Sequence, residues 1–204
     1  MYQIRNRITI VSVHMVLRSV FCEAKQFERT VPMKIAIVGY SGSGKSTLAS
    51  KLAAKHGTSL LHFDTVQFLP GWEERPFDEK LKMTEEFLDN NSSWVIDGNY
   101  FRLCLERRIA EADEVILLLF SRLTCLKRAF SRYLKYKNTT RPDMAEGCNE
   151  KFDLEFAQWI LFNGRSKDRR AKYEHIIKSC GEKAVVIKNP KQLDAYMKAR
   201  GIQQ

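Results

Sequence analysis

The chain has 204 residues, 34 Lys and Arg against 24 Asp and Glu, a formal net charge of +10 and 44% hydrophobic residues. That length suits one domain with room for a small inserted lid, and the composition excludes wholesale disorder and most multidomain readings. The positive surplus fits nucleic acid, phosphorylated small molecules or a merely basic surface, so its position has to decide. Residues 1–32 carry a surplus of 3, residues 33–121 a deficit of 3 (10 basic, 13 acidic), residues 122–172 a surplus of 7 (13 basic, 6 acidic) and residues 173–204 a surplus of 3.

The first 32 residues hold a short apolar run, Ile8 to Leu17, broken by His14 and followed by Arg18. It is too short and too polar to span a bilayer. It lacks the clean apolar region and small-residue cleavage site of a signal peptide, and the Ser and Arg content of a transit peptide. We expect residues 1–32 to be a loosely ordered extension and residues 33–204 to form the folded domain. The five cysteines, Cys22, Cys104, Cys125, Cys148 and Cys180, are odd in number and far apart, with no CxxC pair and no histidine at zinc-ligand spacing. Free thiols in a reducing cytoplasm are the plain expectation.

Met33 to Val38 reads as a buried first strand. Directly after it, Gly39-Tyr40-Ser41-Gly42-Ser43-Gly44-Lys45-Ser46-Thr47 satisfies G-x-x-x-x-G-K-[ST] without a mismatch. Its glycines let backbone N–H groups of the loop, Ser41 and Ser43 included, curl around phosphate oxygens where a Cβ would intrude. Lys45 supplies a point charge to the β- and γ-phosphates and Ser46 a hydroxyl to Mg²⁺, while Thr47 continues into a helix predicted from Ser46 to His56. That helix, stopped by Gly57, aims its N-terminus at the same anion. ATP and Mg²⁺ are the implied ligands.

Thr58 to Asp64 reads as a second strand ending in a carboxylate, and Trp94 to Gly98 as a third whose end carries Asp97. In open parallel sheets the ligand crevice lies at the carboxyl ends of the strands, which points both carboxylates at the phosphates. Asp97 is the candidate for holding Mg²⁺, and Asp64 for accepting the proton of an attacking hydroxyl or orienting the acceptor. Phe77 to Asn90 has helical spacing, and the loop before it offers Phe68 and Trp72 as a stacking wall or as core. Val115 to Phe120 is an apolar run suited to a strand buried on both faces, and Ala184 to Ile187 supplies a fifth before a closing helix. Strands separated by helices give a three-layer α/β fold around a parallel sheet.

The basic block 122–172 contains Arg128 and Arg132, four apart on a helix predicted from about Leu123 to Tyr136, then Arg141, Arg165, Arg169 and Arg170. Planar guanidinium forks suit a triphosphate whose charge shifts during transfer, and arginines on a closing lid exclude water. Arg132, Arg165 and Arg169 are the candidates for neutralising that charge.

Together with MKIAIVGYSGSGKST, the segments LHFDTVQFLPGW, SSWVIDGNY, RYLKYKNTTRPDMAEGC, WILFNGRSKDRR and KNPKQLD carry a resemblance to the adenylate-kinase-like group of P-loop kinases. Within that group the chain most resembles the DNA topology modulation (FlaR-like) proteins, from Met33 nearly to the C-terminus. The resemblance implies a P-loop NTPase fold with a five-stranded sheet of order 2-3-1-4-5, an ATP site and a mobile Arg-rich helical lid at about 137–170. It also implies that Arg128 and Arg132 are the arginine pair of which one stacks on adenine and the other touches phosphates. Asp97-Gly98 is similar to the start of the D-G-F-P-R segment of adenylate kinases, but Asn99-Tyr100-Phe101-Arg102 follows, which displaces the AMP-gripping arginine by one residue and leaves the acceptor open, nucleotide or not.

Three classes of function follow: an ATP-dependent kinase for a nucleotide or small molecule, a regulatory DNA topology modulation protein with ATP binding but little kinase activity, and a P-loop switch or motor. Against the third, Asn189-Pro190-Lys191-Gln192 does not fit N-K-x-D, and Ser121-Arg122 stands where motors place an Asp-Glu pair. Against the second, there is no helix-turn-helix, zinc or RNA-binding aromatic signature. The kinase is the favoured expectation, with ATP and its acceptor as partners and direct DNA contact not favoured.

Overall fold

The computed structural model describes residues 33–202; the N-terminal extension, with Cys22 and the apolar run, lies outside the described residues. Its centre is a five-stranded sheet of β1 (Lys34–Gly39), β2 (Ser59–His62), β5 (Trp94–Asp97), β6 (Glu114–Leu118) and β7 (Ala184–Ile187). The order is β2-β5-β1-β6-β7, with every pairing parallel. Counting these five alone, that is the expected 2-3-1-4-5; β3 (Phe68–Leu69) and β4 (Glu73–Glu74) form a separate antiparallel pair.

Alternation along the strands explains the layers. Successive strand side chains point to opposite faces, so a strand buried on both must be apolar throughout. Ile35 and Ile37 of β1 join Val95, Ile116 and Leu118 in one core, whereas Ala36 and Val38 join Trp94, Ile96, Val115 and Leu117 in the other. The first face is covered by α1 (Lys45–His56), through Leu48 and Leu52, and by α8 (Pro190–Ala199), through Leu193 and Met197. Also on it are α5 (Arg122–Tyr136), through Cys125 and Ala129, and α6 (Leu154–Leu161), through Ile160. The second face is covered by α2 (Phe63–Gln67), α3 (Phe77–Asn90), α4 (Leu105–Glu111) and α7 (Lys167–Cys180), which contribute Phe63, Leu88, Ile109 and Ile176.

Helix starts follow local chemistry. Ser121 accepts from the Thr124 amide at 3.2 Å, Asp153 from Phe156 at 2.8 Å and Asn189 from Gln192 at 3.0 Å, each satisfying a backbone donor that the first turn leaves over. The start of α1 differs: Gly44 caps it with no side-chain hydrogen bond, and no acidic residue occupies its first turn. Its free N–H groups and the positive end of its dipole are left for an external anion.

One expected boundary moves. The second strand stops at His62, and Asp64 sits in the first turn of α2 rather than at a strand end. The reason is tertiary, since Phe63 is completely buried in the second core and turning the chain there carries it inward. Among the described residues no helix is long and apolar enough to cross a membrane.

Candidate active site

A cavity of about 1330 Å³ opens at the carboxyl ends of β1, β2 and β5, floored by the Gly39–Thr47 loop and roofed by residues of α5 and the segment after it. The register of the sheet puts the floor together. Asp97 pairs with Ile37 on one side and His62 on the other, so the end of β5 stands beside the loop that leaves β1.

Close approach dictates the glycines of that loop. A Cβ on Gly42 (φ +76°) would lie 2.5 Å from the Cys125 carbonyl oxygen, and one on Gly44 (φ +95°) 2.5 Å from Nη2 of Arg128. Gly39 instead packs on the Leu118 backbone behind the cavity, and Ser43 is wholly buried, its hydroxyl lacking a partner. Those two shape the loop from behind, while Ser41, Gly42, Gly44, Lys45, Ser46 and Thr47 line the cavity. Asn99 clamps the strand end: its Oδ1 accepts from the Gly39 amide at 2.9 Å and its Nδ2 donates to the Gly39 carbonyl at 2.7 Å. The residue that departs from the adenylate-kinase pattern therefore does a structural job in this chain.

Lys45 Nζ donates to the Tyr40 carbonyl at 3.2 Å, within the loop's own curl. Burial pushes the ammonium below its ordinary pKa, opposed by the charges of Asp97 and Asp64. A half-buried cation whose one hydrogen-bond partner is a neutral carbonyl gains from a bound anion. Ser46 Oγ donates to Asp97 Oδ2 at 2.9 Å, and the other Asp97 oxygen bonds Nδ1 of His62. Burial works against the charged imidazole, but the hydrogen bond and charge of Asp97 outweigh it, and the His62 pKa is raised. A hydroxyl and a carboxylate side by side are hard oxygen donors of the kind that hold Mg²⁺ together with phosphate oxygens and water, so the residues fit that ion.

Across the cavity floor, Tyr100 donates its hydroxyl to Asp64 Oδ1 at 2.6 Å. Burial raises the Asp64 pKa; the Tyr100 hydrogen bond and the charges of Lys45 and Arg141 pull it down. Tyr100 is itself pushed up by burial and by the neighbouring carboxylates, so it remains a donor. Its placement comes from Gly98 (φ +136°), where a Cβ would lie 2.6 Å from Cβ of Phe63, and from Arg108. That guanidinium, 1% exposed and brought by burial to a pKa of about 10, donates to the Gly98 and Tyr100 carbonyls at 3.4 and 3.2 Å. Sequence reasoning missed His62, Asn99, Tyr100 and Arg108 as site residues. Asn99 and Tyr100 stood out only within SSWVIDGNY and His62 only within LHFDTVQFLPGW, as parts of a resemblance, and Arg108 lies in no such segment.

The roof holds the arginines. Arg128 crosses over Gly44 with its guanidinium 5.6 Å from the Phe120 ring centre, and lines the cavity. Arg132 also lines it but is bound to Glu150 at 2.8 Å. Glu150, 2% exposed at its side chain, is shared with Arg141, which in turn holds Asp143. Arg169 lines the cavity with its guanidinium 4.3 Å from the Trp159 ring centre.

Arg165 corrects an expectation. Only 8% exposed, it donates to the carbonyls of Ile160 at 3.0 Å and Phe120 at 2.9 Å, approaches Cys125 Sγ at 3.2 Å and stacks 3.7 Å from the Tyr40 ring centre. It borders a smaller cavity of about 420 Å³ and not the main one, and its donors are spent on the last turn of α6 and the segment just after β6. Opposite, Phe68 and Trp72 meet edge to face at 5.2 Å and both line the main cavity, as a stacking wall would. The roof docks on this hairpin: Trp72 Nε1 donates to the Asn149 carbonyl at 3.1 Å and Cys148 Sγ to the Leu69 carbonyl at 3.3 Å.

No protein-family profile and no curated protein matches the sequence. Solved structures do match the fold. Shikimate kinase from Acinetobacter baumannii, in complex with shikimate, aligns over 86% of this chain and 94% of its own, at 17% identity and a TM-score of 0.51. A gluconokinase from Sinorhizobium meliloti 1021 aligns over 84% of this chain and 94% of its own, at 16% identity and 0.45. An uncharacterized protein from Eubacterium ventriosum ATCC 27560 aligns over 83% and 98%, at 17% identity and 0.47. The likeness to shikimate kinase is one of fold: the chain has the α/β architecture of a P-loop NTPase, with a five-stranded parallel sheet.

Proposed function

We propose that the protein transfers the γ-phosphoryl group of ATP to a hydroxyl on a small-molecule or nucleotide acceptor. One observation carries the reading: an uncapped helix N-terminus with its Gly-rich loop and half-buried Lys45 shares a single cavity with a half-buried, Tyr100-bonded Asp64. A phosphate cradle facing a proton acceptor is what in-line phosphoryl transfer to an alcohol requires.

Loop amides and Lys45 bind the polyphosphate and keep it fixed while charge moves from the γ-group to the leaving ADP. Mg²⁺, held by Ser46 and Asp97, would screen the phosphate oxygens. The acceptor oxygen bonds to the γ-phosphorus, the bond to the β-phosphate bridging oxygen breaks, and the hydroxyl proton passes to Asp64. Tyr100 orients that carboxylate and favours its ionised form. Arg128 and Arg169 reach the nucleotide from the roof, and Arg132 is held beside it by Glu150. Phe68 and Trp72 flank the acceptor on the hairpin side.

The test is a screen of nucleoside monophosphates, nucleosides, sugars and small alcohols for ADP release above the acceptor-free rate, with Lys45→Ala in parallel. Stimulation by one class, lost in Lys45→Ala, is expected. No stimulation by any class, with tight salt-dependent binding of duplex DNA instead, would overturn the reading in favour of a regulatory protein.

A further inference from the structure

Trp159 stands where the roof meets the floor. Its Nε1–H donates to Oγ of Ser41 in the phosphate-binding loop at 3.1 Å, across 118 residues of sequence. Its ring face carries the Arg169 guanidinium at 4.3 Å. Trp159, Ser41 and Arg169 all line the main cavity. The chain makes room for the indole with Gly164, where a Cβ would lie 2.8 Å from the Trp159 carbonyl oxygen and 3.1 Å from Nε1. Ile160, next in sequence and 2% exposed, anchors the helix in the core and fixes the direction in which the indole projects.

Arg169 has no carboxylate partner among the described residues, in contrast to Arg132 and Arg141, which share Glu150. A guanidinium held only by stacking keeps its donors free while its plane is set. We infer that Trp159 is a positioning residue: its N–H seats the indole on the phosphate-binding loop and its ring face aims Arg169 at the phosphate that loop holds. This rests on the nucleotide reading above and adds a residue that acts through two others.

The experiment is a double-mutant cycle with a conservative rescue. Trp159→Phe keeps an aromatic face and removes the N–H; Trp159→Leu removes both; each is combined with Arg169→Ala. Because cation–π contacts contribute about 0.5–2 kcal/mol, Trp159→Leu should lower kcat by about tenfold with a smaller change in KM for ATP, and Trp159→Phe should recover to within about threefold of wild type. In the Arg169→Ala background, Trp159→Leu should change kcat by less than about twofold, since contacting residues are not additive.

The same cycle read as ATP affinity by calorimetry serves if no acceptor is found. Multiplicative losses, or Trp159→Phe as impaired as Trp159→Leu, would overturn the inference while leaving phosphoryl transfer intact. Wild-type protein that binds ATP but phosphorylates nothing would overturn the transfer reading alone, and coupled affinities would still support Trp159. Protein that binds no ATP would overturn both.

Discussion

The floor and the roof of the cavity hold charge in opposite ways. On the floor, half-buried Lys45 hydrogen-bonds one backbone carbonyl and the first turn of α1 has neither a side-chain cap nor an acid, so the positive groups are undersatisfied. On the roof, Arg132 and Arg141 share the buried Glu150 and Arg165 is consumed by carbonyls, whereas Arg128 and Arg169 line the cavity on aromatic rings without a carboxylate among the described residues, as do Lys135, Lys151 and Lys172. A surplus of basic residues is therefore no measure of anion-binding capacity. What counts is how many donors the fold leaves unspent.

The sharpest way to break this contrast is on the floor. Lys45→Ala should cut phosphoryl transfer by about 10²–10³-fold or more, with far-UV circular dichroism unchanged, because a pre-set charge on the phosphates acts where charge develops. Asp64→Asn should lower kcat by about 10²–10⁴-fold as a lost general base. It should also raise the melting temperature at neutral pH. The folded-state pKa of Asp64 lies above its ordinary 3.8, so the folded chain binds the extra proton and stability falls as pH rises from that value through the folded pKa. A melting temperature that drops in Asp64→Asn at pH 7 would contradict the assigned direction.

On the roof, the two arginines four residues apart should separate cleanly. Arg165→Ala strands the Phe120 and Ile160 carbonyls and should cost about 2–4 kcal/mol by urea unfolding. Arg169→Ala should stay within about 0.5 kcal/mol of wild type in the same measurement while losing activity. Equal stability losses would erase the distinction.

The smallest effect belongs to Tyr100→Phe. Removing the hydroxyl takes away a hydrogen bond that lowers the Asp64 pKa, so the acidic limb of the kcat profile should move to higher pH with the maximum reduced only a fewfold. An unmoved limb would take Tyr100 out of the mechanism.

The same division explains what could be read from the sequence. The Gly-rich loop, the apolar strands and the helix after Gly44 depend on neighbours in sequence, through tight turns, alternation and 3.6-residue spacing, and these lay in plain view. Asp97 at the end of β5 followed from strand polarity alone. Asp64 was found with the wrong local structure, because Phe63 turns the chain inward at a point that only the second core dictates. Arg165 and Arg169 looked alike in GRSKDRR. Their fates are decided by Ile160, Phe120 and Trp159, partners that no local spacing announces. Tyr100 and Asn99 were hidden for the same reason, since their partners Asp64 and Gly39 lie 36 and 60 residues away.

The central claim is that cradle and proton acceptor serve one reaction in one cavity. The most direct measurement is transfer of labelled γ-phosphate from ATP to an acceptor chosen by the screen, comparing wild type, Lys45→Ala and Asp64→Asn at matched ATP occupancy. The account predicts labelled product from wild type, with Asp64→Asn still binding ATP yet failing to transfer and Lys45→Ala failing too. Full transfer by Asp64→Asn, or ADP release with label appearing only in inorganic phosphate, would contradict it.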